Sequence, residues 1–248
     1  MKYFFKSLKQ EEYLFRHSSL IWMHILIPIL GIGMLGLYFF GGSRENAVLD
    51  FMRILSIVYP FVIGIVCAEA ISLERESGSF HRVFTFPGNR SVPYFVKLFC
   101  LLFAGLVSAA VSAGGFVFLY SKINGEAIAL LDLILGVWVI WLTAIPVYLI
   151  QYLVSYRYGN VFGISVGVIG TLIAALMETG LGDGIWMYSI WGAGNRILTL
   201  NSLSDKMKVY FAGELKSCIF FSFVISALFI LGLWFFSQGF ERRKDMEE

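Results

Sequence analysis

Few residues in this chain have the types and spacing that covalent or metal chemistry needs. The three histidines, His17, His24 and His81, form no i, i+4 pair, and no H-E-x-x-H occurs. A two-histidine metal site on one helix is therefore excluded. Cys67, Cys100 and Cys218 lie in apolar surroundings without a C-x-x-C and read as buried small hydrophobes. No Ser/His/Asp set suggests itself. The chain has no G-x-x-x-x-G-K-[ST], so it cannot cradle nucleotide phosphates by that route. Gly31, Gly33 and Gly36 match G-x-G-x-x-G by letter only, because they lie inside an apolar block with no preceding strand. The expectation is no catalytic residue, no metal ligand and no cofactor bound by this chain.

The charges that remain sit at the edges of apolar blocks. Asp50 and Arg53 start one block and can pair at i, i+3; Asp132 starts another, and Glu178 and Glu69 lie near block ends. Burying such groups in a bilayer is costly, and an ion-driven carrier needs them along its path. No series of carboxylates or histidines runs through the middle of a block. Active transport by such a chain would draw its energy from a partner.

The elements that position these residues follow from composition. Of 248 residues, 58% are hydrophobic and 15% charged, with a mean hydropathy of +0.77. Soluble domains carry about 45–50% apolar and about 25% charged residues. The excess falls in blocks of about 20 residues, enough to span a hydrocarbon core as helix. The expected fold class is an all-α membrane protein, one membrane domain over 1–248, with spans near 20–40, 51–71, 93–120, 130–154, 161–177 and 217–236. Residues 1–17 read as an amphipathic interfacial helix, with Phe4, Leu8 and Phe15 on one face and Glu11 interrupting it. Ser91 is placed to cap the third span and Pro93 to sit in its first turn. Residues 179–216 read as a semi-polar loop. Of the 19 Lys and Arg, twelve fall on the side of the termini and seven on the other. Both termini are therefore expected in the cytoplasm of a multi-pass cell-membrane protein, with the 179–216 loop extracellular. The net charge of +2 gives no reason to expect nucleic acid.

Two segments rise above this background. The polar stretch 72–92 follows the second span: charged residues, then Gly78, then a short amphipathic run containing Phe80, Arg82 and Phe84, then a Pro87-Gly88 stop. Two helical turns with an apolar and basic face suit docking into a groove on a partner. The other segment is Gly159, Gly163 and Gly167, continuing to Gly170, where small residues let another helix approach closely in lipid. Tyr59, Trp186 and Trp191 are candidates for substrate or lipid contact, as aromatic residues near a membrane interface.

This organisation resembles the type-two class of ABC-transporter permeases (ABC-2). The likeness is carried by the amphipathic N-terminal helix, six spans, and Glu74, Glu76 and Gly78 in a Glu-x-Glu-x-Gly pattern ahead of an amphipathic run and Pro87. The resemblance implies that 72–92 is a coupling helix, with Glu74, Glu76, Gly78, Phe80, Arg82 and Phe84 engaging an ATPase subunit. It implies a dimer of that ATPase carrying ATP and Mg, and a second permease subunit, alike or related. Among such permeases, a subunit of this size without a fused ATPase is similar to the lantibiotic-immunity permeases of Gram-positive bacteria, which expel antimicrobial peptides from membrane lipids and so confer antibiotic resistance. The expected outer face carries eight acidic and seven basic residues, which leaves drug, lipid or polysaccharide export open beside a cationic peptide. A membrane scaffold or pore-type immunity protein working without ATP is the alternative that the layout permits.

Overall fold

The fold comes from a computed structural model, which describes residues 2–39, 46–76, 89, 91–125, 130–201 and 211–244. Among the described residues eight α-helices follow one another: α1 (Lys2–Arg16), α2 (Ser19–Phe39), α3 (Ala47–Glu76), α4 (Ser91–Asn124), α5 (Leu130–Tyr158), α6 (Asn160–Glu178), α7 (Ala193–Asn201) and α8 (Ala212–Lys244). Two 3-10 turns, Gly180–Gly182 and Trp186–Tyr188, lie between α6 and α7. Among the described residues there is no strand. In a bilayer the backbone must satisfy its own polar groups, and a helix does so within one segment.

Six helices, α2 to α6 and α8, are long and apolar enough to cross a membrane. Even the shortest, α6 with 19 residues, reaches about 28 Å at 1.5 Å per residue, close to the hydrocarbon thickness. Helix α3 runs on to Glu76 and α5 to Tyr158, past the expected ends at 71 and 154. The polar residues there continue the helices because nothing in Ser72–Glu76 or Ser155–Tyr158 breaks them.

Helix α3 is the hub and packs against α2, α4, α5, α6 and α7. Its core residues, among them Tyr59, Ile63, Val66 and Ile71, meet Tyr148 and Tyr152 of α5 and Leu101 of α4. Helices α2 and α8 are peripheral, with Met34, Leu37, Phe220 and Phe223 widely exposed. Lipid tails are as apolar as these side chains, so such exposure has no aqueous penalty in a membrane.

Gly163 and Gly167 of α6 pack closely against α3 of the same chain. A Cβ built on Gly167 would lie 2.8 Å from the Pro60 carbonyl oxygen and 3.3 Å from the Gly64 Cα of α3. Gly64 faces Gly163 in return. Gly159 stands apart from this seam. It is the single residue linking α5 to α6, with φ of +94°, a region that glycine enters without steric cost.

Three helices carry an interior proline: Pro28, Pro60 and Pro146. At Pro60, neighbouring helices supply the polar partners. Phe61 N–H donates to Thr171 Oγ1 of α6 at 3.1 Å, and Gln151 Nε2 of α5 donates to the Pro60 carbonyl at 2.9 Å. Polar side chains and neighbouring helices make prolines tolerable inside membrane helices.

Candidate functional site

The face carrying α1 is built around one buried cation. Lys97, in the second turn of α4, places its ammonium 2.5 Å from Glu74 Oε2 at the end of α3 and 3.7 Å from Glu11 Oε2 of α1. It also donates to the Ala70 carbonyl at 3.3 Å. All three side chains are nearly inaccessible, with Glu74 the most buried at 1% exposure. A lysine between two carboxylates needs close pairing and hydrogen bonds to repay the desolvation of three charges. One cluster thus joins α1, α3 and α4. Alongside it Ser19 Oγ donates to Glu69, tying the start of α2 to α3. Glu11, which interrupts the apolar face of α1, is the residue that fastens this helix to the bundle.

These contacts redefine the sequence-predicted coupling residues. Glu74 faces inward and holds the base of the polar stretch, so it presents no carboxylate to an outside partner. Glu76 is exposed and accepts from Ser72 Oγ at 2.9 Å. Gly78, Phe80, Arg82 and Phe84 lie outside the described residues. The structure therefore places the stem of the expected coupling helix and not its tip.

The start of α4 differs in detail from expectation. Ser91 N–H donates to Asn89 Oδ1 at 3.0 Å, so Asn89 supplies the capping oxygen. Ser91 Oγ instead meets Ser237 Oγ of α8 at 2.7 Å, and Gln238 Nε2 donates to it at 3.1 Å.

Tyr59 is interior. Its hydroxyl donates to the Gly105 carbonyl at 2.8 Å, beside Tyr148, and only 5% of the residue is exposed. A Cβ on Gly105 would meet both tyrosine hydroxyls. Tyr59 thus holds α3 to α4 and touches neither lipid nor a surface where substrate would arrive.

On the opposite face, residues 179–201 do more than loop. Helix α7 packs against α3, α5 and α6. Gly194 faces Ser56 of α3 and Thr143 of α5. Ser56 lies nine residues into α3, about 13 Å along the helix, so the chain turns back inside the bundle. The turn is fixed by polar contacts. Asn195 Nδ2 donates to the Ala174 carbonyl at 3.1 Å and to Glu178 Oε2 at 2.8 Å, while Thr199 Oγ1 donates to Glu178 Oε1 at 3.2 Å. Arg196 donates to the carbonyls of Met177 and Thr179 and to Asp183 Oδ1. The last carbonyls of α6 lack intrahelical partners, and a cation there also suits the helix dipole. Trp186 is buried and donates from Nε1 to Glu214 Oε2 of α8 at 2.6 Å. The half-buried Trp191 lies against Gly170. Both tryptophans serve the packing of this inserted segment.

Asp50 and Arg53 pair at 3.0 Å as their spacing implies. Among the described residues no group of three His, Cys, Asp or Glu is placed to hold a metal ion. Sequence reasoning passed over the Lys97 cluster. A lone lysine in the second turn of an apolar span was its visible signal, and the positive-side count absorbed it.

A helical bundle with six helices long and apolar enough to cross a membrane defines a multi-pass membrane protein. The model of the family described as ABC-2 family transporter protein matches residues 7–174, and the chain belongs to that family. It is thus a membrane-spanning transporter subunit of the ABC-2 class. No curated protein and no solved structure matches it.

Proposed function

We propose that this chain is the permease subunit of an ATP-driven exporter whose ATPase is a separate chain carrying ATP and Mg. The observation that supports this best is the clamp of Lys97 on Glu74 and Glu11, because it makes the base of 72–92 rigid. A segment that receives a push must be fixed to what it moves. Here the push reaches α3, and the seam of Gly64 and Gly167 passes it to α6. Two arrangements of the permease then differ in their affinity for substrate, as any coupling requires. Phe80, Arg82 and Phe84 contact the ATPase, with Glu76 and Gly78 completing the coupling segment. A second permease subunit, alike or related, completes the pathway, and both termini are cytoplasmic. The substrate is an antimicrobial peptide of the lantibiotic kind or a similar amphipathic molecule removed from the membrane for self-protection.

Site-specific photocrosslinking tests the docking. A photoreactive residue at position 84 in intact cells is expected to capture a chain containing G-x-x-x-x-G-K-[ST]. The same residue at position 223, on the exposed face of α8, captures none. Capture of no such chain from any position in 77–90 would overturn the reading.

A further inference from the structure

Glu11, Lys97 and Glu74 line a small cavity of about 20 Å³, together with Ala70, Leu20 and Leu101. It lies near one edge of the bundle. Glu74 is two residues from the end of α3, and Lys97 is six residues into α4, about 9 Å along it.

An ammonium has three protons to donate. Lys97 gives one to Glu74 Oε2 at 2.5 Å and one to the Ala70 carbonyl at 3.3 Å. The third has no such partner among the described residues. Its remaining neighbour, Glu11 Oε2, is 3.7 Å away, beyond the reach of a hydrogen bond. A polar contact of that length is one that a water bridges. On the other side, each carboxylate has about four lone-pair sites and can accept from more than one donor.

The cavity has the room and the partners. A buried water needs about 10–15 Å³ and two to four polar groups, and Lys97, Glu11 and Glu74 supply three. Charge decides the occupant. A metal cation would meet the ammonium, an anion would meet two carboxylates, and an apolar group would solvate none of the three. A neutral molecule that both accepts and donates fits, and the volume admits nothing larger than water.

We infer that this cavity binds a structural water, which accepts from Lys97 Nζ and donates to the carboxylates of Glu11 and Glu74. It adds the hydrogen bonds that three buried charged groups need. The tie between α3 and α4 is then direct, while the tie to α1 runs through the water. Helix α1 can part from the bundle without baring the ammonium, because the water stays on Nζ. The site is independent of the transport reading, since it follows from the geometry of the cluster alone.

The test is X-ray radiolysis of the purified full chain in nanodiscs. Hydroxyl radicals formed from a bound water oxidise the side chains that it touches. Leu101 is 1% exposed and lines the cavity; Leu198, of the same type and 2% exposed, is the control. Leu101 should be oxidised severalfold faster than Leu198. Ala70→Leu fills the cavity from α3 and should bring Leu101 down to the control. If that variant does not fold, the ratio of the two leucines in the unaltered chain decides. In a density map that resolves waters, a peak should stand about 2.6–3.2 Å from Nζ and from both carboxylates. Equal oxidation of the two leucines, at a low or a high level, overturns the site. So does Leu101 oxidation that persists in folded Ala70→Leu, or a map in which Nζ meets Glu11 directly.

Discussion

Lys97 and Glu74, 23 positions apart, bring their charges to 2.5 Å in a nearly inaccessible place. Removing the lysine leaves two carboxylates without it. Breaking a buried pair from one side costs about 3–5 kcal/mol, whereas an exposed pair contributes about 0–1 kcal/mol. Lys97→Ala should therefore lower the thermal midpoint of the detergent-purified chain far more than Glu12→Ala, which breaks the exposed pair with Arg16. Equal, small shifts for the two variants would deny the clamp.

The seam between α3 and α6 predicts a difference among glycines. Gly167→Ala drives a methyl against the Pro60 carbonyl and should cost about 1–3 kcal/mol as overpacking. Gly33→Ala meets nothing within 4 Å and should be neutral, or stabilising by up to about 1 kcal/mol through helix propensity. Thermal unfolding of both variants checks the sign of each.

At the α3–α4 contact, Tyr59→Phe loses one hydrogen bond to Gly105. Such bonds between membrane helices average about 0.6 kcal/mol and reach about 1.7 kcal/mol. Gly105→Ala should cost more, because its methyl displaces both tyrosine hydroxyls. A Tyr59→Phe variant as damaged as Gly105→Ala would show that the hydroxyl does more than join two helices.

Arg196 closes the end of α6, so Arg196→Ala should loosen the inserted turn. In a chain whose three native cysteines are replaced by alanine, a cysteine in place of the buried Leu198 should react slowly with a water-soluble maleimide. Adding Arg196→Ala should speed that reaction severalfold. Fast reaction without Arg196→Ala would mean that α7 is not held between α3 and α5.

The fold was legible because its signal is length. Twenty apolar residues in a row state a membrane helix almost alone, and α2 to α6 and α8 are six helices long and apolar enough to cross. The glycine spacing likewise pointed to a close helix contact, though it named no partner and drew in Gly159, which is a turn residue. Contacts between distant positions were not legible. Glu11 looked like an interruption, Lys97 like one more positive charge, and Glu74 like a docking residue, until folding brought them together. Residues 193–201 looked like loop because Asn195, Arg196 and Thr199 are polar. Their polarity serves the carbonyls and carboxylate at the end of α6, a need visible only once α6 is known to stop at Glu178.

The central claim is a permease driven by a separate ATPase, and gentle isolation of the chain from its native membrane tests it most directly. Mass spectrometry should find an ATPase subunit bearing G-x-x-x-x-G-K-[ST] in roughly equal amount, lost when Phe80 and Phe84 are replaced by alanine. Recovery of this chain alone, from a preparation that keeps other ABC transporters intact, would contradict the account.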